Sequence, residues 1–118
     1  MNNDEAILMF KVLAPIPATK FTAEIQTVLL GNYLKLYAIA KAHDETHKIA
    51  RDKLVSEGVV DEKEQRRKLD AVMDAFLKED ATVDLQKISR TQFLAEATKA
   101  GVEITLGHIG ILEPIFEV

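Results

Sequence analysis

At 118 residues, with 47% hydrophobic and 29% charged side chains, the chain has the composition of one globular domain and enough length to bury about two-thirds of the surface its unfolded form exposes. The absence of cysteine excludes disulfides, thiolate zinc sites and cysteine nucleophiles, and fits a reducing cytoplasm. With a net charge of −4 the chain as a whole is repelled by phosphate backbones, so nucleic-acid binding would demand a locally basic face.

The N-terminus, "MNNDEAILMFKVL", carries Asp4 and Glu5 where a secretory signal would be positive, and Lys11 interrupts its apolar run; no signal peptide is expected. Nothing approaches the roughly 18 consecutive apolar residues of a membrane span, so no membrane partner is expected. "EAILMFKVL" (5–13) is apolar on both alternating faces and leans towards β, and Pro15 and Pro17 end it. It is expected to be a strand.

Thr22 is placed to N-cap a helix, with Glu24 near its positive end. From Ala23 to Glu57 no proline intervenes, and Ile25, Leu29, Leu36, Ala40, Ala50 and Leu54 recur at helical spacing; the spacing predicts one helix of about 35 residues. Gly31 inside it costs about 1 kcal/mol relative to Ala, a penalty accepted where another backbone comes close. Residues 25–42 are apolar nearly all round, whereas 43–58 keep only a narrow stripe. Such a first half needs cover on several sides, from its own chain or from a second copy.

Gly58 closes that helix, and Asp61 with Glu64 forms an approximate capping box for the next, which spans 62–80 and shows Leu69, Val72, Met73, Phe76 and Leu77 on one face. The short connection makes the two helices antiparallel neighbours. "ATVDLQKIS" alternates Val83 and Leu85 with polar residues and reads as a second strand, with the first as its candidate partner. Ser89 with Gln92 opens a short helix closed by Gly101. In the tail "VEITLGHIGILEPIFEV" a strand is followed by Thr105 as N-cap and Leu106, Ile109, Leu112 and Ile115 or Phe116 at helical spacing, against the opposition of Gly107, Gly110 and Pro114. The expectation is thus a single α+β domain over residues 1–118, predominantly helical: a long antiparallel helical hairpin, a small sheet of N-terminal and C-terminal strands, and short C-terminal helices.

"HDETH" (43–47) comes close to the zinc-protease motif H-E-x-x-H. His43 and His47 share a helical face that can chelate zinc, but Asp44 stands where the motif needs the longer Glu, and the third histidine, His108, sits between glycines with no readable location. The plainer reading places both histidines on or beside the buried stripe, so neither metal nor cofactor is expected. Asp44 with Glu45, and Glu62 with Glu64, do not face each other on a helix and read as solvated charge. No G-x-S-x-G, P-loop or G-x-G-x-x-G occurs, and no catalytic residue is assigned.

Lys48, Arg51, Arg66, Arg67 and Lys68 could form an anion-binding patch on the hairpin, and a nucleotide or nucleic-acid binder is the alternative reading. Asp44, Asp52, Glu62, Glu64 and Asp70 are interleaved with them, as on exposed helices laced with ion pairs. Tyr33 and Tyr37, one turn apart, could stack on bases, though core or interface is their commoner role.

Taken in order, a short N-terminal strand, the helix entry "PATKFTAEI…LYAIAK", the charged helix end "RDKLVSEG", a second helix, "VDLQKIS" and the closing "ILEPIFEV" resemble small proteins of unknown function encoded by phages and prophages. The resemblance implies life in the cytoplasm of an infected bacterium and a role in assembly or in managing a host protein; it carries over no catalytic residues. The reading that results is a non-enzymatic, self-associating interaction protein whose partner is a second copy, a phage structural protein or a host protein. Its expected contact surface is Val28, Leu30, Tyr33, Leu34 and Tyr37.

Overall fold

The computed structural model describes residues 1–117. Helix α1 spans Asn3–Leu13, and a 3₁₀ turn, Ala18–Lys20, leads into α2, Ala23–Ser56. Helices α3 (Glu62–Lys78), α4 (Arg90–Ala100) and α5 (Leu106–Leu112) follow, with a closing 3₁₀ turn at Glu113–Ile115. The fold is helical, and the described residues contain no sheet.

The first correction falls on residues 5–13, which are helix rather than strand. Asn2 accepts the Glu5 N–H at 2.9 Å and donates its own N–H to the Glu5 carboxylate at 3.2 Å, a complete capping box that satisfies the first free donors of the helix. Asp4 and Glu5 lie at its positive end and Lys11 at its negative end. Ala6, Met9 and Leu13 point into the core at helical intervals, so the run is apolar because one face is buried and another partly covered.

The second correction falls on the sheet. Residues 79–89 belong to no helix or strand; only two isolated bridges form, antiparallel Asn2–Asp80 and parallel Ile88–Phe116, and the tail segment 102–104 is not a strand. The strap 79–89 is held instead by side chains. Asn32 of α2 clasps the main chain of Gln86, Lys35 reaches the Asp84 carbonyl at 2.5 Å, and Asn3 donates to the Phe76 carbonyl at 2.9 Å just before the strap begins. Val83 and Leu85 turn inward and pack against the core, so the alternation in "TVDLQ" is real without a strand neighbour.

Helix α2 occupies the expected residues and, at about 1.5 Å per residue, runs nearly the full length of a molecule measuring 55 × 25 × 22 Å. Its end is a Schellman closure: Gly58, at φ 78°, lets the Gly58 and Val59 N–H groups return to the carbonyls of Val55 and Leu54. Gly101, at φ 74°, closes α4 in the same way. Gly31 does not serve a close approach, since an added Cβ would meet no atom within 4 Å.

The core gathers on the first half of α2. Ile25, Leu29 and Leu36 face Ala6, Met9 and Leu13 of α1, while Phe93 of α4 stacks on Phe21 at 5.6 Å and leans against Phe116 at 5.8 Å. Beyond Leu36 the hairpin of α2 and α3 continues without that core: among the described residues, none from Tyr37 to Val72 is fully buried.

Candidate interaction surface

The inner stripe of α2, Ile25–Leu29–Asn32–Leu36, leaves the outer stripe Leu30–Leu34–Tyr37 facing away from the core at the same helical spacing. Leu34 is 64% exposed, and Leu30 and Tyr37 are close to half exposed. Of the other two residues expected on this surface, Val28 packs against the core, and Tyr33 is half-buried with its ring stacked on Phe10 at 5.3 Å. Tyr37 continues the stack, 6.3 Å from Tyr33 and 6.1 Å from Phe10. Beside it Ala14, Ile16 and Ala18 with Leu30 and Tyr33 line a shallow hollow of about 110 Å³. Most of the apolar first half of α2 is therefore covered by its own chain, and three large side chains remain for another molecule.

The histidines sit at the junction between core and arm. The His43 ring meets Phe76 of α3 edge-on at 5.9 Å, and its Nδ1 lies 3.1 Å from the Asp44 carboxylate. His47 is half-buried one turn further along. Among the described residues no three His, Asp or Glu side chains come together in a group that could hold a metal ion. His108 caps α5: its Nδ1 accepts the Thr105 N–H at 3.3 Å, and its own N–H donates to the Thr105 hydroxyl at 3.1 Å.

The structure brings two of the basic residues together and sets the others apart. Arg51 and Arg66 flank one groove of the hairpin together with Glu62 and Gln65. Lys68 lines another groove with Lys53 and Glu57, Arg67 and Lys68 pair with Glu64 at 3.7 and 3.6 Å, and Lys48 is exposed outside both linings. Of these five cations, Arg67 and Lys68 share the Glu64 carboxylate, which lowers the charge they can offer to a phosphate.

Two features escaped the sequence reading. One is the Lys68-lined groove, about 490 Å³ between α2 and α3, whose apolar walls include Ile49, Leu54 and Val72; alternation of exposed apolar and charged side chains hides it in the sequence. The other is Glu96. Thr22 is the N-cap of α2, as expected, but its hydroxyl makes no cap bond: it donates to Glu96 at 3.1 Å, and the Thr22 N–H donates to the other carboxylate oxygen at 2.8 Å. The bond from the Thr22 main chain, then that from Gln92, holds the Glu96 carboxyl below its ordinary pKa, with smaller help from the Thr22 hydroxyl and Lys99 against a slight opposing effect of burial.

No helix among the described residues is long and apolar enough to cross a membrane. Compared with protein-family models, curated proteins and solved structures, the chain finds no match.

Proposed function

We propose that this chain is a non-enzymatic interaction protein that assembles with copies of itself, in the bacterial cytoplasm and in the assembly or host-directed setting that its resemblance to phage and prophage proteins implies. The observation that supports this reading is the outer stripe of α2, where Leu30, Leu34 and Tyr37 stand in solvent at one-turn intervals beside an ordered aromatic stack. Covering such side chains returns roughly 1–2 kcal/mol each, enough for three of them to bias an encounter towards a lasting contact. The stack matters as well, because a surface whose rings are already ordered loses less side-chain entropy on binding.

Sedimentation across a wide concentration range tests the reading. Wild type is expected to associate, and Leu34→Glu, at a position open enough to leave the fold intact, is expected to weaken association. A wild-type chain that stays at the monomer mass at the highest concentration overturns self-association.

A further inference from the structure

From Lys41 to Asp70 the hairpin forms an arm, none of whose residues joins the main hydrophobic core. Its two helices pack chiefly on each other, yet Ile49 is 68% and Val72 42% exposed, on the two walls of the groove of about 490 Å³. A two-helix layer has one buried seam; the stable helical architectures bury at least one further face.

We propose that a second copy of the chain occupies this groove, the two arms lying side by side as a four-helix bundle with Ile49 and Val72 of each copy against the groove of the other. Charge permits this occupant and disfavours a strongly charged one. The segment 41–70 contains eight basic and eight acidic side chains, so the net −4 of the chain lies wholly outside it. Two arms therefore meet without like-charge repulsion, whereas a nucleic acid or a strongly charged peptide finds no field to follow. The cations at the rim lie beside carboxylates of the same chain, Lys53 at 3.9 Å from Glu57 and Lys68 at 3.6 Å from Glu64, which it shares with Arg67, so the apolar groove is bordered by exposed ion pairs.

Size allows it. The α2 part of the arm, 41–56, is about 24 Å long at about 1.5 Å per residue, and a face two helix diameters, about 20 Å, wide presents ~480 Å², which surface corrugation brings to about 600 Å² per partner, the lower end for a specific complex. This inference rests on the reading of the chain as self-associating but not on the Leu34 stripe. A copy with two separate self-contacts builds assemblies larger than dimers, and loss of either contact leaves a dimer.

Sedimentation of the full chain and its variants, with far-UV circular dichroism to confirm helix content, separates the two contacts. Ile49→Glu and the milder Ile49→Gln are expected to reduce the assembly, Ile49→Glu by about tenfold or more in association constant because a charge must be buried. Val60→Glu, at the exposed hairpin turn, is expected to change nothing, and Ile49→Glu combined with Leu34→Glu to give a monomer. If Ile49→Glu and Ile49→Gln both keep the wild-type mass distribution, the arm contact is refuted and the Leu34 contact stands. If Leu34→Glu alone has no effect while Ile49→Glu dissociates the protein, the arm contact is upheld without the stripe.

Discussion

The side-chain amide of Asn32 takes the place of a neighbouring strand for Gln86: its Nδ2 donates to the Gln86 carbonyl at 3.0 Å and its Oδ1 accepts the Gln86 N–H at 2.9 Å. Asn32 is fully buried, in line with Leu29 and Leu36 on the inner stripe of α2, and every buried polar side-chain atom among the described residues has a partner. Replacing it by Leu, close in volume, leaves two main-chain groups of the strap without that partner; at about 1–3 kcal/mol for each group left dry, the expected loss is about 2 kcal/mol or more. Asn32→Asp keeps the acceptor but loses the donor and buries a charge, so it is expected to be at least as damaging at neutral pH. Urea unfolding midpoints check both. Asn32→Leu with wild-type stability would mean that the strap is held by Val83 and Leu85 alone.

The same amide explains why the strap was misread. Alternation in "TVDLQKIS" reports correctly which side chains turn inward, but alternation cannot say whether the main chain is paired by a strand or by one asparagine 54 residues away. Residues 5–13 were misread for a different reason. The run "AILMF" is apolar at successive positions, which suits a buried strand and a helix covered on two faces equally, and the Asn2–Glu5 capping box that separates them lies just upstream of the run. Helices α2 and α3 are legible because Gly58 closes one long periodic stretch and Asp61 caps the start of the next, strong local punctuation. At the candidate surface the sequence marked an apolar excess on α2, but only packing distinguishes Leu34, exposed, from Val28, set against the core.

Gly31 and Gly101 should respond oppositely to alanine. Gly31 lies in the middle of α2 with no atom within 4 Å of an added Cβ, so Gly31→Ala is expected to stabilise by about 0.5–1 kcal/mol, the helix-propensity difference. Gly101 sits at φ 74°, where a Cβ crowds its own carbonyl, and Gly101→Ala is expected to cost about 1–2 kcal/mol. Thermal unfolding of the two variants beside wild type checks the opposite signs. Loss of stability in Gly31→Ala would mean that a second chain approaches the helix there.

Glu96 ties α4 to the start of α2, and its lowered pKa has a definite consequence for acid stability. A carboxylate held below its ordinary pKa in the folded state contributes stability that is complete above the unfolded value and is lost as pH falls through the depressed folded value. Glu96→Gln is therefore expected to be less stable than wild type at neutral pH, with the gap closing as pH falls below the ordinary glutamate range. Urea midpoints of the two proteins over a pH series read this directly, and a gap independent of pH would assign the tie to Thr22 packing instead of charge.

Local stability should divide α2 in two. Amides near Ile25, Leu29 and Leu36 lie over the core and open only with most of the molecule, whereas those between His43 and Ser56 belong to an arm without a fully buried side chain. In dilute protein, hydrogen exchange of the arm is expected to be much faster than that of the first half of the same helix, although both are regular α-helix. Raising the protein concentration tests the arm as a contact surface, because association that covers the Ile49 groove adds to the free energy of opening in proportion to its occupancy. Protection should then rise selectively in 41–70, and Ile49→Glu should abolish the rise while leaving protection near Leu36 unchanged. Equal slow exchange along all of α2 in dilute protein would show that the arm is held by its own seam and needs no partner.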